Sequence, residues 1–212
     1  NRQIKVQNTL KFLTDISKNF RKNINTKIIA ITGSCGKTTL KELLGNSLKK
    51  ISKVSISPKS FNNKYGVPLS LFNLRENDDY GILEVGMDKK GEIDYLSKII
   101  SPDVSVITNI NYAHIKNFKN IKDIALAKSE IIKNTKPNGY IVLNADDNFF
   151  KLHKKIAKKN SLKVISFGIN NRQTNIQFVS IKRYSKFFKM KIKIKNQNKF
   201  FLILNNFENN IY

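Results

Sequence analysis

Four apolar residues in a row, Ile28 to Ile31, run through Thr32 into a turn carrying Gly33 and Gly36, and Lys37, Thr38 and Thr39 follow at once. This stretch constrains the fold more than any other. A short continuous apolar run suits a strand covered on both faces, and the glycines break it before apolar residues return at helical spacing from Thr38 to Leu48. Strand, glycine turn and helix make a cradle for phosphate. Backbone N–H groups around Ser34, Cys35 and Gly36 are expected to point inward, and the helix start adds partial positive charge. Lys37 would reach the terminal phosphates and Thr38 would ligate Mg²⁺.

The general pattern G-x-x-x-x-G-K-[ST] places a glycine five residues before Gly36, where this chain has Ile31; its first glycine is Gly33. The loop is shorter in its glycine spacing. An ordinary strand-to-helix connection with an exposed lysine is the competing reading, and Gly-x-x-Gly-Lys-Thr directly after a buried run argues against it.

A chain of 212 residues, 40% of them hydrophobic, can bury a substantial core. No segment approaches the roughly 20 apolar residues of a membrane span, and the start shows no leader pattern. The single cysteine, Cys35, lies inside the phosphate loop, which excludes an internal disulfide and points to a reducing cytoplasm. The net charge of +24 by itself suggests a nucleic acid or an acidic membrane as partner. The lysines, however, are scattered through every segment among Asn and Ile, and no nucleic-acid-binding motif accompanies them. The sounder implication is attraction of anionic substrates.

The expected order is an extended piece at Gln3 to Val6 and a helix from Thr9 to Asn19. Strands follow at Val54 to Ser57, Tyr80 to Val85, Asp103 to Asn109, Tyr140 to Asn144 and Val164 to Phe167, with helices between, one of them from Ile121 to Lys133. The fold class is α/β: a mostly parallel P-loop sheet flanked by helices. A smaller antiparallel β subsheet is expected near the C-terminal end, because Ile176 to Arg183, Phe187 to Lys195 and Lys199 to Leu204 alternate apolar and basic residues.

Ligands of an open parallel sheet collect beyond the carboxyl ends of its strands. Polar residues stand there: the phosphate loop, Glu84, Asn109, and Asn144 with Asp146 and Asp147. Glu84, within the apolar run GILEVG, is costly to bury unless it is paired or holds a metal. Of the two histidines, His114 follows the third main strand among hydrogen-bonding groups, whereas His153 stands among lysines on a helix and is expected to be solvated.

Six blocks in order, TGSCGKTT (32–39), NNKYGVP (62–68), EVGMDKKGEI (84–93), TNINYAHI (108–115), AKSEI (127–131) and LNADD (143–147), resemble the central ATP-binding domain of the Mur ligases, and most closely its F-type branch. The resemblance implies an ATP-dependent peptide ligase of cell-wall precursor synthesis. Such an enzyme joins D-Ala-D-Ala to a UDP-linked muramoyl peptide through an acyl phosphate, in the cytoplasm and as a monomer. It implies catalytic roles for Lys37, Glu84, His114 and Lys128, and nucleotide binding by Gly33, Ser34, Cys35, Gly36, Lys37, Thr38, Thr39, Asn109 and Asn210. It further implies substrate binding by Asn62 and Asn63, and Mg²⁺ binding by Thr38, Glu84, His114 and Lys128, the last if its amine is carbamylated by CO₂.

The chain departs from the family pattern at Met87 to Lys90, where GxNHxGEI is usual. It departs again near its end, where Glu208 and Asn209 replace a basic residue and a histidine. On this reading residues 1–26 are the tail of an N-terminal domain plus a connecting helix, and 27–212 are the central domain, ending before its C-terminal partner and inactive alone. A ligase adding a single amino acid, a folylpolyglutamate-type ligase, and a nucleotide-regulated RNA-binding module are the alternatives.

Overall fold

The chain enters through α1 (Thr9–Asn23), where the Asn8 side chain caps the first turn by accepting a hydrogen bond from Lys11 N at 2.9 Å. The structure, a computed structural model, describes residue 3 and residues 5–112, 115–194 and 197–204. His114 and Asn210 lie outside the described residues. No strand forms at the described positions of the expected extended piece, residues 3, 5 and 6. The first helix, by contrast, runs four residues beyond its expected end at Asn19.

After α1 come β1 (Lys27–Thr32), α2 (Lys37–Leu48), β2 (Val54–Ile56), α3 (Gly66–Phe72), β3 (Tyr80–Glu84), α4 (Glu92–Ile100) and β4 (Val104–Ile107). The expected helix from Ile121 to Lys133 is two, α5 (Ile121–Lys128) and α6 (Glu130–Asn134). The break falls at Ser129, whose hydroxyl donates to Leu126 O at 2.7 Å, the kind of local bond that competes with the helical ladder. Then follow β5 (Tyr140–Asn144), α7 (Phe150–Lys159), β6 (Lys163–Gly168), β7 (Ile176–Arg183), β8 (Phe187–Ile194) and β9 (Gln197–Leu204).

Among the described residues nine strands form one sheet in the order β2-β3-β1-β4-β5-β6-β7-β8-β9. The pairs from β2 to β6 are parallel, and β7 joins β6 in parallel over only Phe167↔Ile176 and Gly168↔Gln177. The last three strands turn antiparallel, so the expected antiparallel subsheet is continuous with the main sheet. Their register puts Ile181, Met190 and Phe201 in one cross-strand row and Lys182 and Lys189 in the next, as period-two alternation requires.

β1 is central, and its alternation builds the core on both sides. Ile28 and Ala30 enter the larger apolar cluster, with Leu71, Ile93, Ile124, Ile131 and Ala157 from the helices of that face. Ile29 and Ile31 join Ile82 and Val106 beneath Leu40, Leu44 and Leu48 of α2. Each fully buried isoleucine contributes about 2–3 kcal/mol. The β1 neighbours are β3 on one side and β4 on the other, so the chain's crossovers part at β1 and leave a crevice at its carboxyl end.

His153 contradicts its expected solvation: it is 2% exposed, with Nε2 3.1 Å from Ala125 O. Helical spacing explains this. Residues 149, 153, 156 and 157 share one face of α7, which packs on the core, while the lysines around it occupy the other. Burial lowers the pKa of the ring, against the raising effects of the Ala125 carbonyl and Asp147.

Candidate active site

The turn from β1 to α2 bends through Gly33, at φ 150°, and Gly36, at φ 78°, which caps α2. A Cβ on Gly33 would stand 1.8 Å from Thr108 Oγ1, so the loop after β4 lies against the phosphate loop too closely for any side chain there. That loop clamps its neighbour: Ser34 N donates to Asn109 O at 3.0 Å and Cys35 N to Asn109 Oδ1 at 3.1 Å. Asn109 Nδ2 and Thr108 Oγ1 both donate to Cys35 O, at 3.1 and 2.7 Å. Asp147 steadies the clamp by accepting Ile110 N at 2.7 Å.

Two of the three N–H groups expected to face a phosphate are therefore engaged by Asn109. Asn109 acts here as a brace of the loop. The helix start supplies the N–H groups of Lys37, Thr38 and Thr39, which have no intrahelical partner in an α-helix. Together with the positive end of the helix dipole they suit an anion. Lys37 Nζ folds back to Gly33 O at 3.0 Å, over the same turn.

Glu84 ends β3 beside β1, in register with Ile31, and is 2% exposed. Thr38 Oγ1 donates to its Oε2 at 2.7 Å and Asn62 Nδ2 to its Oε1 at 2.8 Å, while its own N–H donates to Ser57 Oγ at 3.3 Å. Among the described residues no salt bridge neutralises it. A buried carboxylate held only by neutral donors at a phosphate loop suits a divalent cation that also takes phosphate oxygens. Among the described residues no group of three or more His, Cys, Asp or Glu could hold a metal ion without such oxygens.

The two asparagines after β2 divide their work. Asn62 faces Glu84, whereas Asn63 Oδ1 accepts Tyr65 N and Gly66 N at 3.1 and 2.9 Å and opens α3. Both line a cleft of about 740 Å³ with Lys37, Glu84 and Lys128. Lys128, at the end of α5, is 2% exposed. Burial, with the charge of Lys37 adding to it, lowers its pKa from 10.5 to about 7, so a substantial share of the amine is neutral near pH 7. Only a neutral amine attacks CO₂.

Of the expected residues, Gly33, Ser34, Cys35, Gly36, Lys37, Thr38, Thr39, Asn62, Asn63, Glu84, Asn109 and Lys128 thus gather at one edge of the sheet. Sequence reasoning passed over Glu130, which accepts Gly91 N and Asp94 N at 2.9 and 3.0 Å and fixes the start of α4 at the cleft wall. A glutamate two residues after Lys128, facing a glycine-started helix, was the available signal. Asp146, noted as a rim carboxylate, accepts N–H groups of Ile169, Asn170 and Asn171. Burial opposes its ionisation, and those three bonds outweigh burial to lower its pKa.

An α/β sheet with a phosphate loop at its central strand, and a carboxylate on the adjoining strand bonded to the loop threonine, defines a nucleotide-binding P-loop domain. The Mur ligase middle domain matches residues 31–205, and the chain belongs to that family. Among curated relatives, the UDP-N-acetylmuramoyl-tripeptide–D-alanyl-D-alanine ligase of Buchnera aphidicola (subspecies Acyrthosiphon pisum) is 40% identical over 191 residues, which are 89% of this chain and 39% of the relative. The enzyme of that name from Escherichia coli is 30% identical over 69% of this chain and 32% of its own length. Among solved structures, MurF from Acinetobacter baumannii superposes with a TM-score of 0.85 at 32% identity, over 94% of this chain and 43% of that one. MurF from Thermotoga maritima in complex with ADP gives 0.82 at 26%, over 95% of this chain and 47% of that one. The chain thus spans about two fifths of the length of the first curated relatives it matches, 39% and 37%.

Proposed function

We propose that this chain is the nucleotide-binding core of an ATP-dependent ligase that joins D-Ala-D-Ala to UDP-MurNAc-tripeptide in peptidoglycan precursor synthesis, working as a cytoplasmic monomer. The carrying observation is the meeting of Lys37, Thr38, Asn62, Glu84 and Lys128 at one cleft. The names of the relatives support the choice of substrates.

The chemistry asks for two things. A carboxylate is a poor electrophile until one of its oxygens is made a leaving group, and two anions must first be brought together. In the proposed reaction the tripeptide's terminal carboxylate oxygen bonds to the γ-phosphorus of ATP and ADP leaves. The amine of D-Ala-D-Ala then bonds to the acyl carbon, phosphate leaves and the amine's proton is lost. Lys37 and the first turn of α2 would hold the phosphates and offset their charge, and Asn62 would orient Glu84 from the substrate side. Mg²⁺ held by Thr38, Glu84 and phosphate oxygens would supply charge neutralisation. The neutral amine of Lys128 would add CO₂, forming an N–C bond and releasing a proton, and so present an anion where an ammonium would repel the cation.

The test is phosphate release by the full gene product. Release should require ATP, Mg²⁺, the UDP-linked tripeptide and the dipeptide together. Release that ignores either co-substrate, or that accepts a single amino acid in place of the dipeptide, overturns the proposal.

A further inference from the structure

Lys41 has no exposed surface, although it belongs to the most solvent-seeking residue type, and it ranks among the largest fully buried side chains of the protein. It lies on α2 one turn beyond Lys37 and Thr38. Its Nζ donates to Ser57 O at 2.7 Å and to Lys59 O, and Glu42 Oε1 stands 3.2 Å away. A desolvated ammonium held mainly by backbone carbonyls is costly, so its place in the fold calls for a reason beyond packing.

The reason lies in what those carbonyls belong to. Ser57 and Lys59 begin the loop after β2, and Lys59 takes the left-handed conformation, φ 42°, uncommon for a side chain of its kind. Ser57 Oγ accepts Glu84 N; three residues beyond Lys59, Asn62 Nδ2 donates to Glu84 Oε1, and Gly86 N donates to Asn62 O at 2.8 Å. A Cβ on Gly86 would lie 2.8 Å from Asn62 Cγ, so the loop has little latitude on that side. One helix thus presents Lys37 and Thr38 to the phosphate side and, through Lys41, fixes the loop that carries Asn62 and Asn63 to the cleft.

We infer that Lys41 is a positioning residue that ties the phosphate-binding helix to the substrate-side loop, setting Asn62 against Glu84. The inference rests on the ligase reading for its kinetic consequence only. In the full gene product, Lys41→Met should leave the affinity for a fluorescent ADP analogue within about two-fold of the unaltered protein. Backbone hydrogen exchange should quicken in residues 57–66 and not in β1 or β3, and the KM for the UDP-linked tripeptide should rise on the order of ten-fold. Asn62→Ala should give the same KM defect, and the double variant should be no worse than either single one.

Lys41→Gln, which keeps a donor for one carbonyl, should be intermediate, and it serves if the methionine variant does not fold. Unchanged exchange in 57–66, equal losses of nucleotide and tripeptide binding, additive defects with Asn62→Ala, or failure of both Lys41 variants to fold would each overturn the assignment. If the unaltered protein shows no tripeptide-dependent phosphate release, the ligase reading fails, while the exchange and nucleotide measurements still decide the role of Lys41.

Discussion

The hydroxyl of Thr38 and the carboxylate of Glu84, 46 residues apart in the chain, meet at 2.7 Å, and Asn62 reaches the other oxygen of the same carboxylate. The bond joins the first turn of α2 to the end of β3, and it is there because β1 and β3 are parallel neighbours whose carboxyl ends lie side by side. Two properties of Glu84 then matter at the cleft, the orientation that these neutral donors fix and the carboxylate that the proposed cation would take.

Glu84→Gln separates these two properties. The amide keeps the shape and one acceptor oxygen, which Asn62 would retain, while the Thr38 hydroxyl can rotate to accept from the new NH₂ group. Stability in urea should change by less than about 1 kcal/mol. Ligation, which needs the charge, should fall about a hundred-fold or more. A variant that retains most of its turnover would remove Glu84 from the proposed cation site.

Lys128 makes the protein's stability depend on pH in a defined window. Its folded pKa is lowered by burial to about 7 against an ordinary value of 10.5. Between those values the unfolded chain holds a proton that the folded chain lacks, so stability rises with pH; below about pH 7 both forms are protonated and the full penalty of burying the charge applies. Lys128→Met removes the penalty. In CO₂-free buffer at pH 6 the variant should be more stable than the unaltered protein by roughly 2–4 kcal/mol, with the difference closing toward pH 10. Urea titrations at several pH values measure both, and parallel stability curves would show that the amine is not desolvated.

Much of this was legible in the sequence because strand ends and glycine turns are local signals. The run Ile28–Ile31 with Gly33 and Gly36 announces a strand, a turn and a phosphate cradle by residue type alone, and GILEVG announces a buried carboxylate. What escaped was decided by tertiary neighbours. Lys41 reads as one more surface lysine in a chain of net charge +24, and only the docking of the loop after β2 makes it a buried cross-link. His153 reads as solvated because lysines flank it, although its spacing from residues 149 and 157 places it on the apolar face. Asn109 was expected at the nucleotide on the family resemblance; the bonds by which its carboxamide braces Cys35 depend on how two loops meet and are not written in either segment.

The two glycines of the phosphate loop should respond differently to alanine. At Gly36 nothing stands within 4 Å of an added Cβ, and the cost is the left-handed backbone alone, about 1 kcal/mol. At Gly33 the added carbon would meet Thr108 Oγ1 at 1.8 Å, with the Thr108 backbone at 3.1 Å, so the loop and its Asn109 clamp must part. Gly33→Ala should abolish binding of a fluorescent ADP analogue and lower stability by about 2–3 kcal/mol, whereas Gly36→Ala should keep measurable binding. Equal behaviour of the two would show that the contact with Thr108 does not hold the loop.

Arg21 fastens α1 to the domain and offers a test that leaves the phosphate loop untouched. Its Nε donates to Ile100 O at 2.6 Å, Nη1 to Thr26 O at 3.2 Å, and Nη2 to Ser101 O at 3.0 Å and Asp103 Oδ2 at 2.8 Å. Burial pulls its pKa down while Asp103 pulls it up; Asp103 is also held by Lys136 and by Ile28 N. Removing the guanidinium leaves three carbonyls without their donor in a place water cannot easily reach. Arg21→Met should therefore cost about 3–5 kcal/mol, and Arg21→Lys nearly as much, because a single ammonium cannot span the four acceptors. The loss should be felt at the cleft as well, since α1 supplies Leu10 to its wall and Thr14 to a hydrogen bond with Tyr95. Urea denaturation gives the stability, and nucleotide affinity measured well below the transition should stay within about two-fold of the unaltered protein. A fall in nucleotide affinity equal to that in tripeptide affinity would mean that α1 supports the whole sheet edge rather than the cleft wall alone.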